Sequence, residues 1–117
     1  MTQVRLSYAY GTSSQPLLGT TIGEKFDQTC AQYAEQDAVV SLHQNVRLSY
    51  RQLQEQVNAF ACSLLKLGFQ KGDRLAIWSP NCVEWTITQF AAFKAGIILV
   101  NLNPAYKSNE LEYVLNK

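Results

Sequence analysis

The residues with the means to do chemistry are few and scattered. A phosphate-binding loop needs several glycines beside Ser, Thr or Lys, so that backbone N–H groups can close on the anion. The nearest match, Gly11-Thr12-Ser13-Ser14, has no lysine, and it lacks the strand and helix that flank such a loop. His43 is the single histidine and the natural general base. It stands with Gln44 and Asn45 between two β-prone runs, where an exposed turn tip is the simpler reading. Asp73 sits in Lys71-Gly72-Asp73-Arg74, a tight-turn pattern in which an Asp side chain bonds to nearby backbone rather than to a substrate. Trp78 and Trp85 could form a ligand platform, yet their places on a strand and on the helix after it point to core or subdomain interface.

Cys30, Cys62 and Cys82 form no metal-type pair, and an odd count is a poor basis for a disulfide framework. They read as reduced thiols in an intracellular compartment, each a small buried hydrophobe. The chain also has no Gly-x-Ser-x-Gly elbow, no His-Glu-x-x-His zinc pair and no Gly-x-Gly-x-x-Gly fingerprint, which argues against standalone hydrolase or oxidoreductase activity. On the residues alone, no position is assigned a catalytic, cofactor-binding or metal-binding role.

The 117 residues suffice for one compact α/β domain or part of a larger one. Apolar residues at 47% and charged residues at 16% are the balance of a chain that buries a core rather than one that stays disordered. Ten Lys and Arg against nine Asp and Glu leave a formal charge of +1, and the basic residues are spread along the chain. Neither nucleic acid nor an anionic membrane surface finds a strong field here. No apolar run approaches the ~20 residues that cross a bilayer, and Met1 to Tyr10 carry no export signal.

The elements follow from spacing. Residues 1–20 are polar and Ser-rich and read as an extended lead-in. Thr21 and Glu24 form a capping box that opens a helix running to about Ala34, with Ile22, Phe26, Cys30 and Tyr33 on its apolar face. Ala38–Leu42 and Val46–Tyr50 predict a hairpin. Ser49 and Gln52 repeat the capping pattern ahead of a long helix with a stripe of Leu53, Val57, Phe60, Ala61, Leu64 and Leu65, stopped by Gly68. Arg74–Trp78 and Ile97–Leu102 read as parallel strands joined through a helix after Pro80 and Asn81 that ends at Gly96. The β-branched run after Gly96 predicts a strand covered on both faces. Ser108 is the expected cap of a last helix carrying Leu111, Val114 and Leu115. That helix stops at once, so the expectation is a cut within a longer polypeptide, with an exposed sheet edge and low stability for the isolated piece. The fold class is therefore α/β, a β-hairpin plus a parallel β-α-β unit with packed helices.

Taken in order, several segments resemble the opening core motifs of the adenylate-forming enzymes. They are Leu48-Ser49-Tyr50-Arg51-Gln52-Leu53, Gly68, Lys71-Gly72-Asp73-Arg74-Leu75-Ala76-Ile77, and Pro80-Asn81 with Glu84-Trp85. Phe93 to Pro104 resembles the second core motif of that superfamily, with Tyr106 and Glu110-Leu111-Glu112-Tyr113 downstream. Asn101-Leu102-Asn103-Pro104-Ala105-Tyr106 and the lead-in Leu6-Ser7-Tyr8 with Pro16-Leu17-Leu18-Gly19 are most similar to medium-chain acyl-CoA ligases of the mitochondrial acyl-CoA synthetase family member 2 type.

The resemblance implies that residues 21–117 are the amino-terminal part of an AMP-binding domain, within the amino-terminal subdomain of such an enzyme. It implies a reaction in which a carboxylic acid and ATP give an acyl-adenylate and pyrophosphate, after which the thiol of CoA displaces AMP. ATP, Mg2+, CoA and a fatty acid are then ligands of the whole enzyme, and the remainder of the same polypeptide is this chain's partner. Because the phosphate loop, metal ligands and lysine of the superfamily normally follow later, no site residue is carried over and the chain alone is expected to be inactive. Mitochondrial localisation comes with the resemblance, with the cytoplasm as alternative. Two other readings stay open at this point: an independent small α/β binding or interaction module, and an amino-acid adenylation or luciferase-like relative.

Overall fold

The computed structural model describes residue 11 and residues 13–117. Leu6-Ser7-Tyr8 and Thr12 of the motifs above lie outside the described residues. Residues 13–20 carry bends but neither helix nor strand, and all are exposed.

Helix α1 (Ile22–Gln32) starts where its capping box places it. The Thr21 N–H donates to Glu24 Oε2 at 2.8 Å, and the Glu24 N–H donates to Thr21 Oγ1 at 3.2 Å. The helix turns Phe26 and Cys30 inward and stops two residues before Ala34. Strands β1 (Asp37–Ser41) and β2 (Val46–Ser49) pair antiparallel, with Val39 opposite Leu48 and Ser41 opposite Val46. Asn45 takes the left-handed conformation between them (φ 52°), one that Asn tolerates better than most residues. Helix α2 (Tyr50–Lys66) opens on the Ser49 and Gln52 capping box. Of its expected stripe, Leu53, Val57, Ala61 and Leu64 are buried, Phe60 is partly buried and Leu65 stays exposed.

Strand β3 (Arg74–Trp78), helix α3 (Val83–Ala95) and strand β4 (Ile98–Leu102) form the β-α-β unit. The two strands are parallel, in register from Arg74 beside Ile98 to Trp78 beside Leu102. The turn before β3 is fixed by Asp73, whose carboxylate accepts the Gln70 N–H at 2.7 Å while its carbonyl accepts from Ile98. Gly96 ends α3 in the left-handed region (φ 72°), and a Cβ there would meet Lys71 Cγ at 3.1 Å. Only glycine meets both demands without strain.

The core lies where α2 packs on α3, with α1 across both and the hairpin at one end. Val57, Ala91 and Ala92 are fully buried there, and full burial of a side chain the size of valine contributes about 2 kcal/mol. Phe26 of α1 stacks on Phe90 of α3 with centroids 4.4 Å apart.

Three expectations are corrected. The second face of the β3–β4 sheet is only partly covered, Leu102 being its buried residue. Leu75 and Leu99 pack toward the core, whereas Trp78 and Ile98 on the opposite face are each about half exposed, at 50% and 49%. A hydrophobic run identifies a strand but does not supply the layer that covers it. The last helix, α4 (Ser108–Leu115), has Lys107 rather than Ser108 at its cap position. The Glu110 carboxylate reaches back to the Lys107 N–H at 3.0 Å, so the acidic residue sets the register and Ser108 becomes the first helical residue. The helix buries none of its residues. Of the three thiols only Cys30 is buried, while Cys62 is exposed and Cys82 lies between.

Candidate functional site

The most polar long-range junction joins the hairpin tip to the start of α3. No Cys82 side-chain bond caps this helix. Gln44 does so from 39 positions away: its Oε1 accepts the Val83 N–H at 2.8 Å. The same oxygen accepts the Ser41 hydroxyl at 3.0 Å, and Gln44 Nε2 donates to Glu84 Oε2 at 2.8 Å. The bond from Gln44 is the main reason that the Glu84 carboxyl is held below its ordinary range. His43 Nδ1 lies 3.2 Å from Ser41 Oγ, and Asn81 and Cys82 line a cavity of about 490 Å3 with them.

Ser41 and His43 have the residue types of a nucleophile and base pair, and in this arrangement the Ser41 hydroxyl is turned toward Gln44 instead. Gln44 Oε1 is fixed as an acceptor by the Val83 N–H, so the single Ser41 proton is committed to it. Activating a hydroxyl requires the imidazole to accept its proton, and here that proton goes to Gln44 Oε1. His43 sits in the exposed turn that its neighbours predict. The junction is a latch.

A second polar cluster ties the three core helices. Lys94 Nζ of α3 donates to Asp27 Oδ1 of α1 and to Asn58 Oδ1 of α2, each at 2.6 Å, and Gln54 Nε2 donates to Asp27 Oδ1 at 2.7 Å. Burial works to raise the Asp27 carboxyl, but the bonds from Lys94 and Gln54 and the Lys94 charge outweigh it and leave it below its ordinary value. Burial, with the Asp27 charge, pushes the Cys30 thiol upward, away from thiolate reactivity. Sequence reasoning missed both clusters. Gln44, Asp27 and Lys94 carry no local pattern, and their partners lie 27 to 67 positions away.

The donor set that would hold the Mg2+ brought by the resemblance is not found among the described residues. Among the described residues no group of three His, Cys, Asp or Glu could hold a metal ion, and no buried side-chain N or O lacks a partner. Ser13 and Ser14 lie in exposed chain ahead of α1, where Ser13 Oγ accepts the Gln15 N–H at 3.2 Å. Asp73 holds a turn, and the Trp78 indole donates to the Asn103 carbonyl at 3.1 Å. Trp85 is half-buried on α3. The structure brings none of these residues together.

Comparison with known proteins supplies what the geometry alone leaves open. The family model of the AMP-binding enzymes matches residues 26–117. The medium-chain acyl-CoA ligase ACSF2, mitochondrial, of Mus musculus is 49% identical over 112 residues, covering 96% of this chain and 18% of that protein. A fatty acyl CoA synthetase of Mycobacterium tuberculosis superposes with a TM-score of 0.78 at 32% identity, over 81% of this chain and 19% of that one. The N-terminal subdomain of Klebsiella oxytoca NpsA, in complex with anthranilyl-AMSN, gives 0.77 at 26% identity, over 82% of this chain and 24% of that one.

Proposed function

The chain belongs to the AMP-binding enzyme family, and on that premise we propose that it is supporting framework of an ATP-dependent acyl-CoA ligase acting on medium-chain acids. The observation that carries the reading is the 49% identity to such a ligase across 96% of this chain, in a chain that spans 18% of that relative's length. Among the described residues no group of three His, Cys, Asp or Glu could hold a metal ion. The identity to a ligase also weighs against an independent binding module and against an amino-acid or luciferin-type adenylating enzyme.

In this reading the whole enzyme joins a carboxylate oxygen to the α-phosphorus of ATP as pyrophosphate leaves. The CoA sulfur then takes the acyl carbon as AMP leaves and the thiol proton is lost. No residue of this chain is assigned to either step. Its contribution is mechanical. The Gln44 latch and the Asp27–Lys94 cluster hold three helices and the hairpin as one body, and rigid support of this kind fixes a site built on it. The remainder of the polypeptide is the partner that covers the open face of β3–β4, where Ala76, Trp78, Ile98 and Val100 share one side by register. The names of the relatives support the mitochondrion as compartment.

The test is acyl-CoA formation by the longer polypeptide containing this chain, with acids from four to sixteen carbons. ATP-dependent turnover that peaks at medium chain length is expected. Preference for amino acids, or thioester formation by the 117-residue chain alone, would overturn the reading.

A further inference from the structure

An apolar groove of about 480 Å3 opens between α1, β1, the start of α2 and α3, apart from both polar clusters. Leu18, Ile22, Phe26, Val39, Leu53 and Phe90 form its walls and floor. That volume falls in the range of small-molecule pockets, roughly 300–1,000 Å3. Its polar atoms are few. Lys25, exposed to solvent, is the one charged residue of the lining and makes no ion pair among the described residues. Thr86 adds a hydroxyl on the opposite helix.

We propose that this groove binds a medium-chain carboxylate, its alkyl chain on the Phe26–Phe90 stack and its carboxylate at Lys25, as a site separate from the one where the acid reacts. An apolar trough with one cation in its described lining complements an amphipathic monoanion. An uncharged lipid would leave the ammonium without use, and a polyanion would meet one charge where it needs several. The inference borrows the class of acid from the proposed function but needs no ATP, so binding here and ligase activity of the whole enzyme fail or succeed independently.

The experiment titrates the chain, and the longer polypeptide containing it, with hexanoate, octanoate, decanoate and 1-decanol, followed by calorimetry and by NMR shifts. Decanoate is expected to bind one per chain, with each added methylene tightening binding about fourfold. Shifts should centre on Phe26, Val39 and Phe90. Lys25→Met should weaken decanoate about three- to fivefold, the reach of an exposed ion pair, and leave decanol unchanged. Thr86→Phe, which fills the groove, should abolish both. Circular dichroism establishes that each variant is folded. No saturable binding by folded chain, equal affinity for acid and alcohol, binding that both variants leave intact, or contacts showing the groove filled by another part of the polypeptide would each overturn the proposal.

Discussion

Among the described residues Gln44 is the one side chain that caps α3, and replacing it by alanine removes that cap. The Val83 N–H loses its acceptor, and with no cap from Cys82 the loss should match that of an N-cap residue, about 1 kcal/mol. The Ser41 hydroxyl, only 9% exposed, loses the bond it donates, adding about 1 kcal/mol. The exposed contact to Glu84 is not counted. The sum of about 2 kcal/mol corresponds to a fall in Tm of about 8 °C for a chain of this size. Thermal and urea melts followed by circular dichroism measure it. Leu42→Ala in the same turn is the control, because Leu42 is 88% exposed and its loss should stay within about 0.5 kcal/mol. If Gln44→Ala melts no lower than Leu42→Ala, the hairpin does not cap α3 and the latch is wrong.

Gly96→Ala should destabilise by about 2 kcal/mol in urea melts, through left-handed strain and the close approach to Lys71. Asp27 contributes to stability above its ordinary value of 3.8, and the contribution is lost as pH falls through its lower folded value. Asp27→Asn should therefore lower the melt at pH 7, and the gap to the parent should narrow as pH falls below 3.8, a trend that pH-dependent melts resolve. Iodoacetamide followed by mass spectrometry should label exposed Cys62 well before Cys30, which is both buried and raised in pKa.

What the sequence could reveal was local. Thr21 with Glu24 and Ser49 with Gln52 start helices where they stand because each pair satisfies its own backbone donors within three residues. Gly68 and Gly96 end helices through their own φ angles. The same locality explains the error at Ser108, where two neighbouring residues compete and the long reach of Glu110 decides. Gln44 and Lys94 were illegible because they act on partners brought near only by folding. The open face of β3–β4 was misread because burial of a strand depends on a layer that the strand's own residues do not encode. As for chemistry, the Ser41–His43 contact forms through the hairpin turn, and the turning of the Ser41 hydroxyl toward Gln44 has no signal in the sequence.

Framework without machinery is the central claim, and titration of the purified chain with ATP and Mg2+ tests it most directly. Calorimetry should show no saturable heat at any nucleotide concentration where a complete adenylating enzyme would be filled. Tight binding with one nucleotide per chain would contradict it.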